Sequence, residues 1–323
     1  TYGVLCPDPA CTDEDATCSA HIQSGAGLSV YDDMLYLIAP DTSSAGREEY
    51  LWRQDLFGRG REKLKKLSFD EVILPYQPQR YIVHRGKLYL LGKTDTVGKD
   101  GISPVTRISL LSTSLGDGET FATLYDQTWD ENINPTVFFK GDTAYLSLPS
   151  FTQEGCINLT ILRYNLADGS SETIYQENET EMSPRPLWVS EEGEIYMPAV
   201  SDTIQSLNKL EEGKTAEIKA WDGEANLYAM DDVAVRLARK DEIYLVQIVN
   251  FSGEVLYDGP LLPQGIPGFE GDLNTWNPMI VGGDKDKLIL NMSNLGTQGM
   301  EDYTLMLDVH NKLAPTLLWS SVN

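Results

Sequence analysis

The sequence predicts an all-β chain folded as a β-propeller of six four-stranded blades, and three observations carry that expectation. A short phrase recurs along the 323 residues: a turn pair, then apolar, aromatic, apolar. Each copy is preceded by a short apolar strand and followed by a further strand that ends in a turn. Amphipathic helical periodicity is nearly absent. Four-stranded units repeated at roughly 40 to 55 residues suit blades, because one such sheet cannot bury both of its faces alone.

Taken in order, the phrase reads Asp33-Met34-Leu35-Tyr36-Leu37, Gly86-Lys87-Leu88-Tyr89-Leu90 and Asp142-Thr143-Ala144-Tyr145-Leu146. It returns as Gly193-Glu194-Ile195-Tyr196-Met197 and, degraded, as Asp286-Lys287-Leu288-Ile289-Leu290. Strands such as Tyr81-Ile82-Val83 and Val137-Phe138-Phe139 lie just ahead, joined by Gly or Asp turns of hairpin type. Val83, Val137, Val189 and Ile280 are expected on innermost strands, with Tyr36, Tyr89, Tyr145 and Tyr196 one strand outward. Leu51-Trp52-Arg53-Gln54-Asp55-Leu56-Phe57-Gly58 and Leu162 to Gly169 read as third strands. Glu172 to Tyr175 and Glu254 to Tyr257 read as fourth strands. A further unit centres on Asp231-Asp232-Val233-Ala234-Val235, with Ile243-Tyr244-Leu245 as its third strand, and the charged run Arg59 to Lys66 reads as an outer strand. Residues 1–28 read as a Cys-rich arm packed on the ring, and 29–323 as one propeller domain. The arm could instead carry, at Tyr2 to Leu5, an outer strand of an incomplete seventh blade.

Composition narrows the function classes. Lys plus Arg is 25 against 49 Asp plus Glu, a formal charge of −24. Such a surface repels phosphate backbones and anionic headgroups, so nucleic acid is not an expected partner. Hydrophobic residues at 41% suffice for a large core. No apolar run is long enough to span a membrane. The chain starts at Thr1 rather than Met, which is read as removal of something upstream, a signal peptide being one candidate.

The Gly86-Lys87-Leu88-Tyr89 hairpin and the Leu51 to Gly58 third strand resemble those of TolB-like propellers found in secreted lipoproteins of anaerobic Gram-positive bacteria. Many of those carry an N-terminal segment similar to C-x-x-P-x-C-x-H-x-x-x-x-C. Cys6, Pro9, Cys11 and Cys18 match it, while Asp13 stands where the pattern has histidine. The resemblance implies a secreted or membrane-anchored lipoprotein, with the anchor absent from this chain, and it names no reaction.

The catalytic inventory is thin. His21, His84 and His310 are the three histidines, and none sits in a metalloprotease or nucleophile-elbow setting. Acidic pairs such as Asp130-Glu131, Glu191-Glu192 and Asp231-Asp232 read as solvated turns, so no glycosidase pair can be picked from them. The loops entering each innermost strand are more informative, because propeller ligands gather around the central channel at that end. They place Gln79, Arg80, Asn134, Arg185, Asn226 and Asn277 at one repeated position, with Trp276 beside them. Asn and Pro also suit turns in their own right. The functional reading is a polar funnel with aromatic walls for a glycan, a peptide or a protein partner. A polysaccharide-degrading hydrolase or lyase using funnel carboxylates is the alternative, and an architectural docking ring is the third class.

Three of the four cysteines and one histidine fall between Cys6 and His21 in the spacing C-x4-C-x6-C-x2-H. Cys6, Cys11, Cys18 and His21, or Asp13 in place of His21, could close a tetrahedral structural zinc site. A local disulfide from Cys6 or Cys11 to Cys18 is the other outcome, favoured by secretion. Either would tie the arm down without supplying an open catalytic position, and no other cofactor is expected.

Overall fold

The computed structural model describes residues 27–40, 49–56, 59–67, 81–116, 120–151, 157–180, 183–184, 187–200, 203–241, 243–261, 276–296 and 299–320. Six antiparallel sheets follow one another along the chain, the blades of a six-bladed β-propeller. The first is β1 (Gly27–Tyr31), β2 (Met34–Pro40), β3 (Glu49–Asp55) and β4 (Glu62–Leu67). The second is β5 (Tyr81–His84), β6 (Lys87–Val97), β7 (Pro104–Ser114) and β8 (Ala122–Trp129). The third is β9 (Thr136–Lys140), β10 (Thr143–Phe151), β11 (Ile157–Asn165) and β12 (Ser171–Thr180). In the fourth, β13 (Ser183–Pro184) and β14 (Trp188–Val189) share the inner edge of β15 (Ile195–Val200), followed by β16 (Ile204–Glu211) and β17 (Lys214–Asp222). The fifth is β18 (Ala225–Met230), β19 (Val233–Lys240), β20 (Ile243–Asn250) and β21 (Val255–Pro260). The sixth is β22 (Asn277–Gly283), β23 (Lys287–Gly296), β24 (Gly299–Asp308) and β25 (Ala314–Ser320), with a 3-10 turn at Val309–Asn311. Among the described residues no helix is long and apolar enough to cross a membrane.

Turn chemistry sets this order. Two-residue hairpin loops that match strand twist need positive φ at both central residues. Asp32 and Asp33 (φ 50° and 56°), Arg85 and Gly86 (49° and 75°), and Asp231 and Asp232 (35° and 65°) supply it. Each pair falls between the first and second strands of its sheet, which is why the recurring phrase begins with a turn pair. Val83, Val137, Val189 and Ile280 lie on the first strands β5, β9, β14 and β22, and Tyr36, Tyr89, Tyr145 and Tyr196 on the second strands. The run Arg59 to Lys66 contributes β4, the outer strand of its sheet. In the first, second, fourth, fifth and sixth sheets the pairing of third with fourth strand slips by one residue. A bulge repeated at one position increases the local twist of each blade.

The chain divides into two compact units, residues 1–173 and 174–323. Within the first, alternate residues of β6 feed two cores. Leu88 and Leu90 pack with Tyr36, Ile38 and Leu51 of the first sheet. Tyr89 and Leu91 pack instead with Phe139, Ala144 and Leu146 of the third. The second unit repeats the device on β19: Val233, Val235 and Leu237 join Leu288 and Leu290 of the sixth sheet, while Ala234 joins Tyr196 and Leu207 of the fourth. A strand buried on both faces reads as a continuous apolar run. Each fully buried Leu in these layers contributes about 2 kcal/mol.

Candidate functional site

Because every sheet is antiparallel in chain order, its first-to-second and third-to-fourth turns share one end. The entry to the first strand lies at the other. The candidate ligand residues predicted from the sequence belong to the entry end. There Asn134 is exposed, its backbone N–H donating to the Pro149 carbonyl at 3.0 Å. Asn226 and Asn277 are exposed near the starts of β18 and β22. Trp276 is only 6% exposed: its ring meets Tyr303 edge-on at 5.2 Å and its carbonyl accepts the Tyr244 hydroxyl at 3.2 Å, so it packs as core. Gln79, Arg80 and Arg185 lie outside the described residues, as do Cys6, Cys11, Asp13, Cys18 and His21. Among the described residues no group of three or more His, Cys, Asp or Glu side chains could hold a metal ion. The His84 ring stacks near Phe139, with Nε2 2.7 Å from the Gly141 carbonyl, and His310 pairs with Asp286 at 2.8 Å.

Among the described residues a concave feature of the second unit lies at the turn end. A cleft of about 620 Å³ opens between the fourth and fifth sheets, within the size range of small-ligand sites. The β14–β15 turn contributes Ser190, Glu192 and Glu194, and the strands behind it Tyr196, Lys209 and Ile218. The fifth sheet adds Asp232, Phe251, Ser252 and Leu256, and Lys285 comes from the β22–β23 turn.

Local hydrogen bonds fix these groups. The buried Ser190 hydroxyl donates to Glu192 Oε2 at 3.0 Å and accepts the backbone N–H groups of Glu192 and Glu194 at 3.2 and 3.3 Å. That holds the turn so that Glu194 points at its neighbours. Its Oε1 accepts from Lys209 Nζ at 2.6 Å and its Oε2 from the Tyr196 hydroxyl at 2.6 Å. Lys209 also reaches Glu211 at 3.3 Å. Asn250 is spent within its own turn, accepting from the Ser252 hydroxyl at 2.8 Å and the Glu254 N–H at 2.9 Å. The floor is aromatic, since Tyr196 stacks on Phe251.

Electrostatics then set each protonation state. Burial, and next the Glu194 carboxylate, push the Tyr196 phenol up to about 12. Hydrogen bonds from Lys209 and then Tyr196 hold the Glu194 carboxyl below the usual range, and Glu194 with Glu211 raises the Lys209 ammonium. Asp231, beside the cleft, is raised by burial first and then by the charges of Asp232 and Asp284. From sequence, Glu191-Glu192 and Asp231-Asp232 are expected only as solvated turns and Tyr196 only as a second-strand residue. The usable signal was the repeated turn position, which brings acidic turns of neighbouring sheets to one end.

Comparison with known proteins bears on the fold. The chain is similar to the structure of prolyl oligopeptidase B from Galerina marginata, with 11% identity over 98% of this chain and 47% of that one, and a TM-score of 0.59. It is similar to oligopeptidase B from Leishmania major, with 9% identity, 91% and 40% coverage and a TM-score of 0.52. TolB from Acinetobacter baumannii matches with 11% identity over 73% of this chain and 53% of that one, at a TM-score of 0.42. At these identities the likeness shows the fold alone, a β-propeller. The chain spans about half the length of these structures or less. No family model and no curated protein matches it.

Proposed function

We propose that this propeller is a non-catalytic binding module of an extracytoplasmic protein, holding a ligand at the ends of its blades. One observation carries the reading: the hydrogen-bonded Tyr196, Glu194 and Lys209 of the cleft are held in their resting protonation states. A general acid or base needs a pKa near the working pH. In the cleft burial and then Glu194 hold the phenol protonated, Lys209 and then Tyr196 hold the Glu194 carboxylate ionised, and Glu194 with Glu211 holds the Lys209 ammonium charged. Such a triad fixes the shape of a binding surface and has no proton to exchange at neutral pH.

The entry-loop funnel belongs to the same reading as a second surface. Asn226 and Asn277 support it by being exposed near the starts of their first strands, with Gln79, Arg80, Asn134 and Arg185 as the rest of the proposed set, while the buried Trp276 drops out of it. The test is a library of glycans and peptides incubated with the full chain, read for both saturable binding and product. The expected result is binding without turnover. A Glu194→Gln variant is expected to weaken a cleft ligand about tenfold, equivalent to about 1.4 kcal/mol, and a paired Asn226→Ala, Asn277→Ala variant to weaken a funnel ligand alone. Product released at a rate abolished by Glu194→Gln would overturn the reading and make the cleft an active site.

A further inference from the structure

The charges of the cleft do not cancel where they stand. Lys209 is satisfied in place by Glu194 at 2.6 Å and Glu211 at 3.3 Å. Glu192 receives only the Ser190 hydroxyl, and Asp232 has no side-chain partner among the described residues. Beside them the Asp231 carboxyl feels three acidic neighbours, Asp232, Asp284 and Glu191, against the single cation Lys285. One added positive charge at this spot would therefore be attracted by at least two carboxylates and would relieve their mutual repulsion.

The walls say what should carry that charge. Ile218, half-buried, lines the cleft beside Phe251 in the core shared by the fourth and fifth sheets, and Leu256, also half-buried, lines it where it packs against the core shared by the fifth and sixth. A slot with apolar sides and carboxylates along it suits an unbranched hydrocarbon stem ending in a cation, which is how lysine and arginine side chains divide between apolar and polar surroundings. Lys285 lines the same cleft and argues against a free polyamine, since it would repel a second ammonium. A main-chain carbonyl beside a basic side chain would instead accept from it.

Resting on the binding-module reading above, we propose that the cleft between the fourth and fifth sheets receives a lysine or arginine side chain of an extended peptide segment. The stem lies along the apolar lining of Ile218, Phe251 and Leu256, the cation reaches Asp232 and Glu192, and the adjoining backbone lies toward Lys285.

The experiment titrates the full chain with four probes: acetyl-Gly-Lys-Gly-amide, its Nε-acetylated form, acetyl-Gly-Glu-Gly-amide and spermidine. Binding is read from the backbone amide resonances of Phe251 and Ser252 and from the fitted Kd. The lysine peptide is expected to shift those resonances, and acetylation of its side chain to weaken it tenfold or more. Asp232→Asn and Glu192→Gln should each weaken it about tenfold at low salt and less at high salt, with an unchanged unfolding temperature as the control for folding. Lys285→Gln should weaken the peptide while strengthening spermidine. Equal affinity for the acetylated peptide, or no shift with the lysine peptide, overturns the proposal. If the glutamate peptide or a neutral oligosaccharide from the library binds the cleft instead, the basic-side-chain assignment fails while the binding-module reading stands. Tighter binding of spermidine than of the peptide by the unaltered protein overturns the peptide assignment in favour of a free polyamine.

Discussion

The Tyr196 ring of β15 lies on the Phe251 ring at the end of β20, centroids 4.1 Å apart and 23° from parallel. This stack joins the fourth sheet to the fifth and also floors the cleft, so packing and site share one element. Phe251→Ala removes a buried ring between two sheets and is expected to cost about 3 to 4 kcal/mol. Phe251→Leu keeps most of the volume and should cost about 1 kcal/mol. Urea denaturation of both variants checks this, and equal losses would show that the aromatic ring itself, not its volume, is what the packing requires.

Backbone space gives a second expectation, at the β22–β23 turn. Gly283 has φ 139°, and a Cβ there would meet the Lys287 carbonyl oxygen and lie 2.7 Å from Leu288 Cα. Both are backbone atoms of the paired strand and cannot step aside without opening the hairpin. Gly283→Ala is expected to destabilise by about 3 kcal/mol, the scale of a severe backbone conflict. Gly282 is the internal control, because nothing lies within 4 Å of its added Cβ. Gly282→Ala should stay within about 1 kcal/mol of the parent. Thermal unfolding of the two single variants separates them.

The blades were legible because their signals are local. A positive-φ turn pair and the apolar residues beside it fall within one short window, as at Arg85-Gly86 and Leu88 to Leu91. Strand alternation is equally local, and at Trp276 it works against the aromatic-wall reading. Residues 276, 278 and 280 are buried while Asn277 and Met279 are exposed, so the tryptophan and its neighbouring asparagine face opposite ways. The cleft was illegible because it depends on partners far apart in the chain. Glu194 meets Lys209 across a strand pair, and Tyr196 meets Phe251 across two sheets. Neither spacing has a sequence signature, and in a chain of charge −24 the acidic turns stand out from nothing.

Asp231 offers a test of the cleft's electrostatics. Its carboxyl is raised by burial and by Asp232 and Asp284, so the folded state disfavours its charge. A carboxyl whose folded pKa lies above the unfolded value adds relative stability below the unfolded pKa, and that contribution disappears as pH rises through the folded one. Asp231→Asn should therefore stabilise at pH 7 by on the order of 0.5 kcal/mol, the scale of a solvent-screened charge interaction. The gain should vanish near pH 3, where the parent is also neutral. Asparagine tolerates the positive φ of this position, so backbone strain does not enter. Unfolding free energies measured at both pH values decide it, and a gain that persists at pH 3 would contradict the charge argument.

Ser190 is where local turn chemistry controls the site. Its hydroxyl is buried and makes three hydrogen bonds within the β14–β15 turn, two of them to the N–H groups of Glu192 and Glu194. Ser190→Ala leaves those N–H groups without their acceptor, a loss comparable to removing a helix N-cap, and should cost about 1 kcal/mol. The effect on the cleft should be larger than that stability change suggests. Glu194 would no longer be held between Lys209 and Tyr196, and the Tyr196 phenol would lose part of what keeps it high. Spectrophotometric titration, compared with a Tyr196→Phe variant to identify the signal, should show the phenol ionising at lower pH in Ser190→Ala. Ser190→Thr keeps the hydroxyl and should restore the parent value. An unshifted phenol in Ser190→Ala would mean that Glu194 is positioned by Lys209 alone, with the turn contributing only to stability.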